Sequence, residues 1–248
     1  GLAYYTYAQQ NGTSGSTVTN FLLAVTGRNM LYAVSRPEGK GGSTGGSKII
    51  DKQISLGNIN PSSLTLLQGN PDDKNDKWLL VGFNDEGTDK RSGFAVYKQL
   101  KNELINRVAD TIVNSNTFSP AMKVYVNGKT GLGAVSYAPN KQLLAVTAGS
   151  EVLFFKNPDA LFSGSTEQNV SPDYVIGGSN TGLKQIGGVA IDDRTKNGQF
   201  FYVSDSENGK VVRFKLTDQG NATPDITKNY GNLLPNYIFL DAREKPEF

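Results

Sequence analysis

The chain contains neither histidine nor cysteine among its 248 residues. These absences exclude a Ser-His-Asp triad, a cysteine nucleophile, a disulfide and any zinc site built from histidine or cysteine. A general base would have to be Asp, Glu, Lys or Tyr, and the spacing of these residues along the chain fixes no pair of them. The sequence therefore leaves open whether the protein is an enzyme.

An excess of charge of one sign is also missing. The 25 Lys and Arg residues against 23 Asp and Glu give a formal net charge of +2, and no block of like charges occurs. We therefore expect neither nucleic acid nor an anionic membrane as a partner.

The apolar run Phe21–Val25 is too short to span a bilayer. Gly1–Tyr5 lacks the basic and apolar regions of a secretory signal, so we expect any such signal to have been removed or never present. The oligomeric state stays open.

Four segments share a pattern in which an apolar run ends at a stretch of turn residues. Their starts, at residues 31, 79, 143 and 201, are 48, 64 and 58 residues apart. This spacing is close to that of a four-stranded unit of roughly 40–50 residues with long loops. The segments are Leu31–Gly39, Leu79–Gly87, Leu143–Gly149 and Phe201–Gly209.

Further strands flank each of these segments. The predicted following strands are Ser47–Ile54, Gly93–Lys98, Glu151–Phe155 and Lys210–Leu216. The predicted preceding strands are Asn20–Val25, Ser63–Leu67, Gly133–Tyr137 and Gly187–Ile191. Small residues at the head of the preceding strands suit the innermost position of a sheet, where backbones crowd together. Ile105–Ile112 and Asp173–Ile176 are the best candidates for outer fourth strands. A single helical turn is predicted at Pro158–Phe162, with Asn157 as its N-cap.

These units predict an all-β chain, a β-propeller of four-stranded antiparallel sheets that forms one domain over residues 1–248. We expect five blades, because Leu2–Ala8 and Tyr237–Leu240 would share a blade and close the ring with N- and C-terminal strands. Six blades are expected if Arg107–Leu132 holds an extra pair of strands. The alternative is an irregular β-sandwich, which also has short strands separated by frequent turns.

The segment Ile186–Phe214 resembles a blade of the NHL and SMP-30-like β-propellers. In that family a Pro-x-Gly-Val-Ala-Val-Asp strand precedes an aromatic strand that ends in Asp, and an Asn and a basic residue follow. The matching positions are Gly188, Val189, Ala190, Asp192, Tyr202, Val203, Asp205, Asn208, Lys210, Val211 and Phe214. Pro61–Leu67 with Lys77–Gly82 is similar, more loosely, to blades of lactonase-type propellers. Such a resemblance bears on fold more than on chemistry.

Polar residues cluster in the turns of two units and are candidate ligand-binding residues. They are Asp205, Glu207 and Asn208 in the last unit and Asn84, Asp85 and Glu86 in the second. Such oxygen donors suit Ca²⁺, although Asp and Asn also satisfy backbone donors in tight turns. The resemblance to SMP-30-like enzymes implies a metal held by carboxylates and amides at the mouth of a central channel. Asp205 and Asp192 are the metal ligands that this resemblance suggests, with Ca²⁺ as the cofactor.

Two other segments look like ligand loops but lack the required spacing. In Gly39–Ser47 the lysine precedes the glycines and a strand follows them, so a flexible hairpin loop is expected in place of a phosphate loop. Asp72–Asp76 lacks the glycine and the terminal glutamate of an EF-hand, so we expect an exposed turn before Trp78.

The sequence contains candidate glycosylation sites and candidate sugar-contacting tyrosines, and each set also has a purely structural explanation. Three Asn-x-Ser/Thr triplets lie among turn residues and are either N-glycosylation sites or plain polar loops, at Asn11, Asn169 and Asn221. Tyr4, Tyr5 and Tyr7 either form a stacking platform for sugars or pack between blades.

A repeat scaffold with varied loops and no catalytic constellation favours a binding role. We expect an extracytoplasmic propeller, secreted, at the cell surface or in the periplasm, that binds a small polar ligand, a glycan or a protein at one face. The alternative is a Ca²⁺-dependent hydrolase or lactonase of the SMP-30-like type, in which the metal polarises a carbonyl and an Asp accepts the proton.

Overall fold

A computed structural model describes residues 1–10, 16–26, 29–35, 52–69, 73, 76–84, 90–106, 118–164 and 167–240. Strands dominate these residues, and the helical segments are single turns: α1 (Pro158–Leu161), Asn102–Asn106, Pro139–Lys141 and Ser179–Thr181. The strands are β1 (Leu2–Gln10), β2 (Ser16–Thr26), β3 (Met30–Ser35), β4 (Lys52–Ser55), β5 (Pro61–Gln68), β6 (Lys77–Asn84), β7 (Ser92–Tyr97), β8 (Met122–Val126), β9 (Leu132–Ala138), β10 (Leu143–Ala148), β11 (Glu151–Lys156), β12 (Gln168–Val170), β13 (Tyr174–Ile176), β14 (Ile186–Ile191), β15 (Phe200–Asp205), β16 (Lys210–Lys215) and β17 (Ile226–Asn229).

The strands form four sheets, each built mainly from strands consecutive in the chain. The first sheet has the order β1-β2-β3-β4, and the fourth has the order β14-β15-β16-β17. The second contains β5 to β8 in order, and β12 adds to its outer edge in parallel with β8. The third has the order β9-β10-β11-β13. All pairings other than that of β12 with β8 are antiparallel, as short turns between successive strands require.

Three separate hydrophobic cores lie between successive sheets. One joins the first and second sheets, the next joins the second and third, and the last joins the third and fourth. Strand β6 shows how the sequence achieves this: Leu79 and Val81 belong to the core toward the first sheet, and Leu80 belongs to the core toward the third. Because alternate side chains point to opposite faces, a continuous apolar strand is expected where both faces are covered. No comparable core joins the fourth sheet to the first within the described residues.

Aromatic side chains complete these inter-sheet cores. Phe94 of the second sheet contacts Phe155 of the third edge to face, with ring centroids 5.7 Å apart. Phe154, on the opposite face of the third sheet, contacts Phe201 of the fourth at 4.9 Å in the same geometry. Burial of each such side chain contributes about 1.5–3 kcal/mol to folding. The third sheet is therefore held from both faces.

The sequence predictions for the second, third and fourth units are largely confirmed, and the first unit is shifted by one strand. Asn20–Val25, predicted to lead the first unit, is the second strand of its sheet, because Leu2–Gln10 pairs with Ser16–Thr26 ahead of it. This pairing also corrects the separate fifth blade: Leu2–Ala8 belongs to the first sheet, and Tyr237–Leu240 is not in a strand.

The outer strand of the second sheet also differs from the prediction. Met122–Val126 takes this place, and Ile105–Ile112 does not, because its first residues belong to the helical turn Asn102–Asn106. Residues 107–117 lie outside the described part of the chain. Asp173–Ile176 is confirmed as an outer strand through β13, and α1 is confirmed with Pro158 at its start. Asn157 precedes α1 in a left-handed conformation, and its side chain makes no capping hydrogen bond.

This arrangement of four sheets is consistent with a β-propeller-like fold. Each sheet packs face to face with the next in chain order, whereas a sandwich has two layers that share one core. No helix among the described residues is long and apolar enough to cross a membrane.

Candidate functional site

The first strands of the four sheets come together and border two partly open cavities. Strand β5 contacts both β1 and β9, and β9 also contacts β14. Both cavities are lined by residues from all four of these strands and by the C-terminal segment around Tyr237. Residues from distant parts of the chain thus meet in one place.

A β-bulge at the start of the first strand recurs in the second, third and fourth sheets. In the second sheet Ser62 is the extra residue, and in the fourth sheet Gly187 is. In the third sheet Gly133 and Ala134 together lie opposite Thr147. A bulge bends its strand and changes the direction of a side chain, and bulges are common beside binding sites. Small residues at these positions allow the first strands to approach one another.

The first of the two cavities, here called the carboxylate cavity, has a volume of about 330 Å³, and among the described residues one charged side chain lines it, Asp193. It lies toward the ends of the first strands, and Thr65 of β5 and Ser136 of β9 line it with their neighbours. The Ser136 hydroxyl also accepts a hydrogen bond of 3.0 Å from the Ile191 backbone N–H, which fixes β9 against β14. Aromatic side chains line the remainder: Tyr4, Tyr137, Tyr237 and Phe239.

The Asp193 carboxylate is held by the turn that follows β9. Its Oδ1 accepts from the Asn140 backbone N–H at 3.0 Å, and its Oδ2 accepts from the Asn140 side-chain amide at 3.1 Å. Burial raises the pKa of the Asp193 carboxyl above its ordinary value, and the hydrogen bond from Asn140 and the charge of Lys141 act in the opposite direction. Asp193 is half-buried, so its position is fixed while part of its surface stays accessible.

Tyr137 links the same cavity to a second carboxylate. Its hydroxyl donates to Oδ2 of Asp159 at 2.9 Å, and the Gln142 amide donates to that same oxygen at 3.0 Å. Burial, together with the neighbouring Asp159, raises the pKa of the Tyr137 hydroxyl. Tyr137 is therefore a fixed, neutral wall of the cavity.

The second cavity, here called the serine cavity, has a volume of about 360 Å³ and lies at the start of the first strands. No charged side chain of the described residues lines it. The hydroxyl oxygens of Ser62 and Ser63 are buried and have no hydrogen-bond partner among the described residues. The remaining lining residues are small or apolar, apart from one tyrosine: Gly1, Leu2, Leu64, Gly133, Ala134, Val135, Gly187 and Tyr237.

The polar cluster predicted in the fourth sheet is present, and its hydrogen bonds are local. Asp205 is fully buried, and its carboxylate accepts from the backbone N–H groups of Lys184 at 3.0 Å and Gln185 at 3.3 Å. Asn208 donates to the same carboxylate from its side chain at 2.7 Å and from its backbone at 3.2 Å. Glu207 is exposed and forms an ion pair of 3.3 Å with Lys184. These contacts match the alternative in which turn side chains satisfy backbone donors.

Asn84 likewise makes contacts within the fold. It bonds both backbone groups of Leu132, and its Oδ1 accepts from the Ser92 hydroxyl at 2.7 Å. Asp85 and Glu86, predicted beside it, lie outside the described residues. None of Asn84, Asp205 and Asn208 lines either cavity.

The two predicted metal ligands are not brought together. Asp205 lies opposite Ile186 at the start of β14, and Asp192 follows Ile191 at its end. At about 3.3 Å per residue the backbones at these two positions are roughly 16 Å apart. Asp192 is fully buried and paired with Arg194, whose Nε and Nη2 donate to it at 2.9 and 2.5 Å. No group of three Asp or Glu side chains suited to a metal occurs in the described part of the chain.

The other predicted positions are divided between surface, core and cavity. Asn169 and Asn221 are exposed, and the Asn221 side chain accepts from the Asn180 backbone N–H at 2.6 Å. Tyr5 is buried and stacks on Phe21, whereas Tyr4 lines the carboxylate cavity. Described residues do not include Asn11 or the loop Gly39–Ser47, nor Asp72 of the Asp72–Asp76 segment or the side chain of Tyr7.

Apart from Tyr4, sequence reasoning missed the polar side chains that line the cavities. Asp193 lies next to the predicted ligand Asp192, but only the turn geometry separates an accessible carboxylate from a buried ion pair. Ser62 and Ser63 lie within the segment that resembles lactonase-type blades. Two adjacent serines at the head of an innermost strand were the available signal.

No protein-family model matches the chain, and no curated protein is significantly similar to it. The resemblance to NHL and SMP-30-like propellers therefore stays a prediction drawn from the residues of the fourth sheet.

Proposed function

We propose that the protein is a β-propeller-like binding protein and that its carboxylate cavity holds a small polar ligand of the size of one sugar ring. The observation that carries the proposal is a cavity of about 330 Å³ shared by the first strands of all four sheets, with Asp193 as the one charged side chain that the described residues contribute to it. Ligand sites are commonly concave, largely preformed and lined by apolar and aromatic groups with few polar ones.

The chemistry of the lining favours a ligand that donates hydrogen bonds. The Asp193 carboxylate only accepts hydrogen bonds, and bonds to a charged acceptor are the stronger kind. Aromatic side chains such as Tyr4 and Tyr237 offer flat apolar surface to the face of a sugar ring. An amino sugar combines these features, because it has donors, a cationic group and an apolar face.

Closure of the ring by the C-terminal segment belongs to the same proposal. A Cβ at Gly187 would lie 2.6 Å from the Asn236 carbonyl oxygen, so this segment runs directly beside the start of β14. Tyr237–Leu240 also line the carboxylate cavity together with Leu2–Tyr4 of β1. These contacts support a ring in which residues 236–240 lie between the last and the first sheets.

The experiment is a calorimetric titration with glucosamine, glucose and glucuronate, which have the same ring and differ in charge. We expect glucosamine to bind best and glucuronate worst. Replacing Asp193 with Asn should weaken glucosamine binding by about tenfold or more. The matched control is Asp225→Asn, whose carboxylate pairs with Arg213 and lines neither cavity. Equal affinity for all three sugars, or no saturable binding of any of them, would overturn the proposal.

The calcium-dependent hydrolase has no supporting contact among the described residues. Its mechanism requires oxygen ligands that converge from different sheets, whereas Asp192 follows the end of β14 and Asp205, on the neighbouring strand β15, lies opposite the start of β14. Hydrolysis of a lactone and an ester, measured with and without a chelator, tests this alternative.

A further inference from the structure

We infer that the serine cavity is a second binding site, which takes an uncharged single-ring compound bearing a hydroxyl or carbonyl group. This inference goes beyond the proposed function, because it concerns a different cavity and a different ligand class. The observation behind the inference is that the hydroxyls of Ser62 and Ser63 are buried and have no hydrogen-bond partner in the described part of the chain.

The second sheet departs here from the pattern of the third and fourth. In the fourth sheet the first strand carries Gly188, and the hydroxyl opposite it, that of Ser204, is on the second strand. In the third sheet Gly133 is on the first strand, and a Cβ there would lie 2.5 Å from the Thr147 hydroxyl oxygen. In both sheets the hydroxyl therefore lies over a glycine of the first strand.

The second sheet has this arrangement reversed. Gly82 is on the second strand, opposite Ser63 on the first. A Cβ at Gly82 would collide with the Ser63 hydroxyl and lie 3.3 Å from that of Ser62. The bulge thus places two hydroxyls side by side in space left by a missing side chain, and it places them on the strand that lines the cavity.

Leaving these hydroxyls without partners is unfavourable for folding. Ser63 is 3% exposed, so bulk water does not replace its missing partner. A buried hydroxyl without a hydrogen bond destabilises the folded state, whereas an alanine in its place does not. Features that disagree with the local pattern and destabilise the fold are expected where a protein binds its ligand.

The lining selects the class of ligand. Besides the two hydroxyls it offers apolar groups such as Leu64 and Val135 and the ring of Tyr237, and no charged side chain in the described part of the chain lines it. A cation would lose its hydration there without a counter-charge. An uncharged ring with one hydroxyl or carbonyl would give the serines a partner and fill the apolar space.

The test compares phenol, toluene and benzylamine by saturation-transfer NMR titration on the whole chain. Phenol should bind about tenfold more tightly than toluene, which lacks the polar group, and benzylamine, a cation at neutral pH, should not compete. The double variant Ser62→Ala/Ser63→Ala should bind phenol no better than toluene, and its melting temperature without ligand should equal or exceed that of the unmodified protein. The control is Ser204→Ala, at the matching level of the fourth sheet, which lines neither cavity. Its phenol affinity should be unchanged.

A second variant keeps the inference testable if the double variant does not fold. Gly82→Ala should displace the Ser63 hydroxyl and reduce phenol binding while both serines remain. Equal affinity for phenol and toluene, or unchanged phenol binding in the serine variants, would overturn the inference. So would a crystal soaked with phenol that shows only water molecules on the two hydroxyls. Loss of sugar binding in Asp193→Asn, with phenol binding intact, would separate this site from the carboxylate cavity.

Discussion

Asn84 bonds both backbone polar groups of Leu132, the residue that begins the next sheet. Its Oδ1 accepts from the Leu132 N–H at 2.7 Å, and its Nδ2 donates to the Leu132 carbonyl at 3.1 Å. Where β6 ends and β9 begins, the Asn84 side chain therefore makes the pair of backbone hydrogen bonds that a neighbouring strand would otherwise make. Because Ser92 donates to the same Oδ1 and accepts from the Gly131 N–H, the tie involves three segments.

Replacing Asn84 with Ala should reduce the free energy of unfolding by about 1–3 kcal/mol, because Leu132 is buried and its backbone groups lose their partners. Urea titration should show a lower midpoint with an unchanged slope. The control is Asn169→Ala, an exposed residue, for which we expect little change. A midpoint shift no larger for Asn84→Ala than for the control would show that this tie does not stabilise the fold.

Asp205 should stabilise the fold by accepting hydrogen bonds from backbone N–H groups and not by binding a cation. Asp205→Ala removes the acceptor of three backbone N–H groups and should destabilise the protein by about 1–3 kcal/mol. The loss should be the same in calcium and in chelator. Stabilisation of the unmodified protein by calcium, absent from Asp205→Ala, would instead revive the metal site predicted from the sequence.

The pairing of Asp192 with Arg194 should produce an acid-dependent loss of stability. Hydrogen bonding from the Arg194 side chain lowers the pKa of Asp192 below its ordinary value, despite burial. The stabilisation is therefore complete above the unfolded-state pKa of about 4 and is lost as the pH falls through the lower folded-state pKa. Arg194→Met should flatten this decline in unfolding free energy below about pH 4. Arg213→Met serves as the comparison, because its partner Asp225 is partly exposed; an equal effect of the two variants would contradict the assignment.

The contact between Gly187 and Asn236 should hold the C-terminal segment in place. A methyl group at residue 187 would approach the Asn236 carbonyl oxygen to 2.6 Å, which is too close for a carbon atom. Gly187→Ala should therefore increase hydrogen exchange and proteolysis within residues 230–240. Gly164→Ala is the control, because its nearest neighbour is the flexible Met122 side chain at 3.4 Å. Unchanged protection of the segment in Gly187→Ala would show that it does not depend on this contact.

Strand patterns and turn residues predicted most of the second, third and fourth sheets, because alternation and turns are local properties. Which strand begins the first sheet could not be predicted in this way. Leu2–Gln10 has neither the leading glycines nor the bulge of β9 and β14, and it pairs with β2 in an unbroken register. Without these local marks its assignment depended on pairing across the chain.

Site prediction was limited for a related reason. Asp192, Asp193 and Asp205 have the same carboxylate chemistry, and only the fold separates an ion pair, a cavity wall and a turn acceptor. The reversed positions of Ser63 and Gly82 become visible only when the register of the second sheet is compared with that of the fourth.

Cavity filling tests the central claim most directly, namely that the space enclosed by the first strands binds ligands. Ala134 lines the serine cavity and is half-buried, so Ala134→Leu should occupy part of it. The measurement is the affinity for phenol, determined by NMR titration of the variant and the unmodified protein side by side. Loss of phenol binding with an unchanged melting temperature is the predicted result. Phenol affinity that is the same in the folded variant and the unmodified protein would contradict the account.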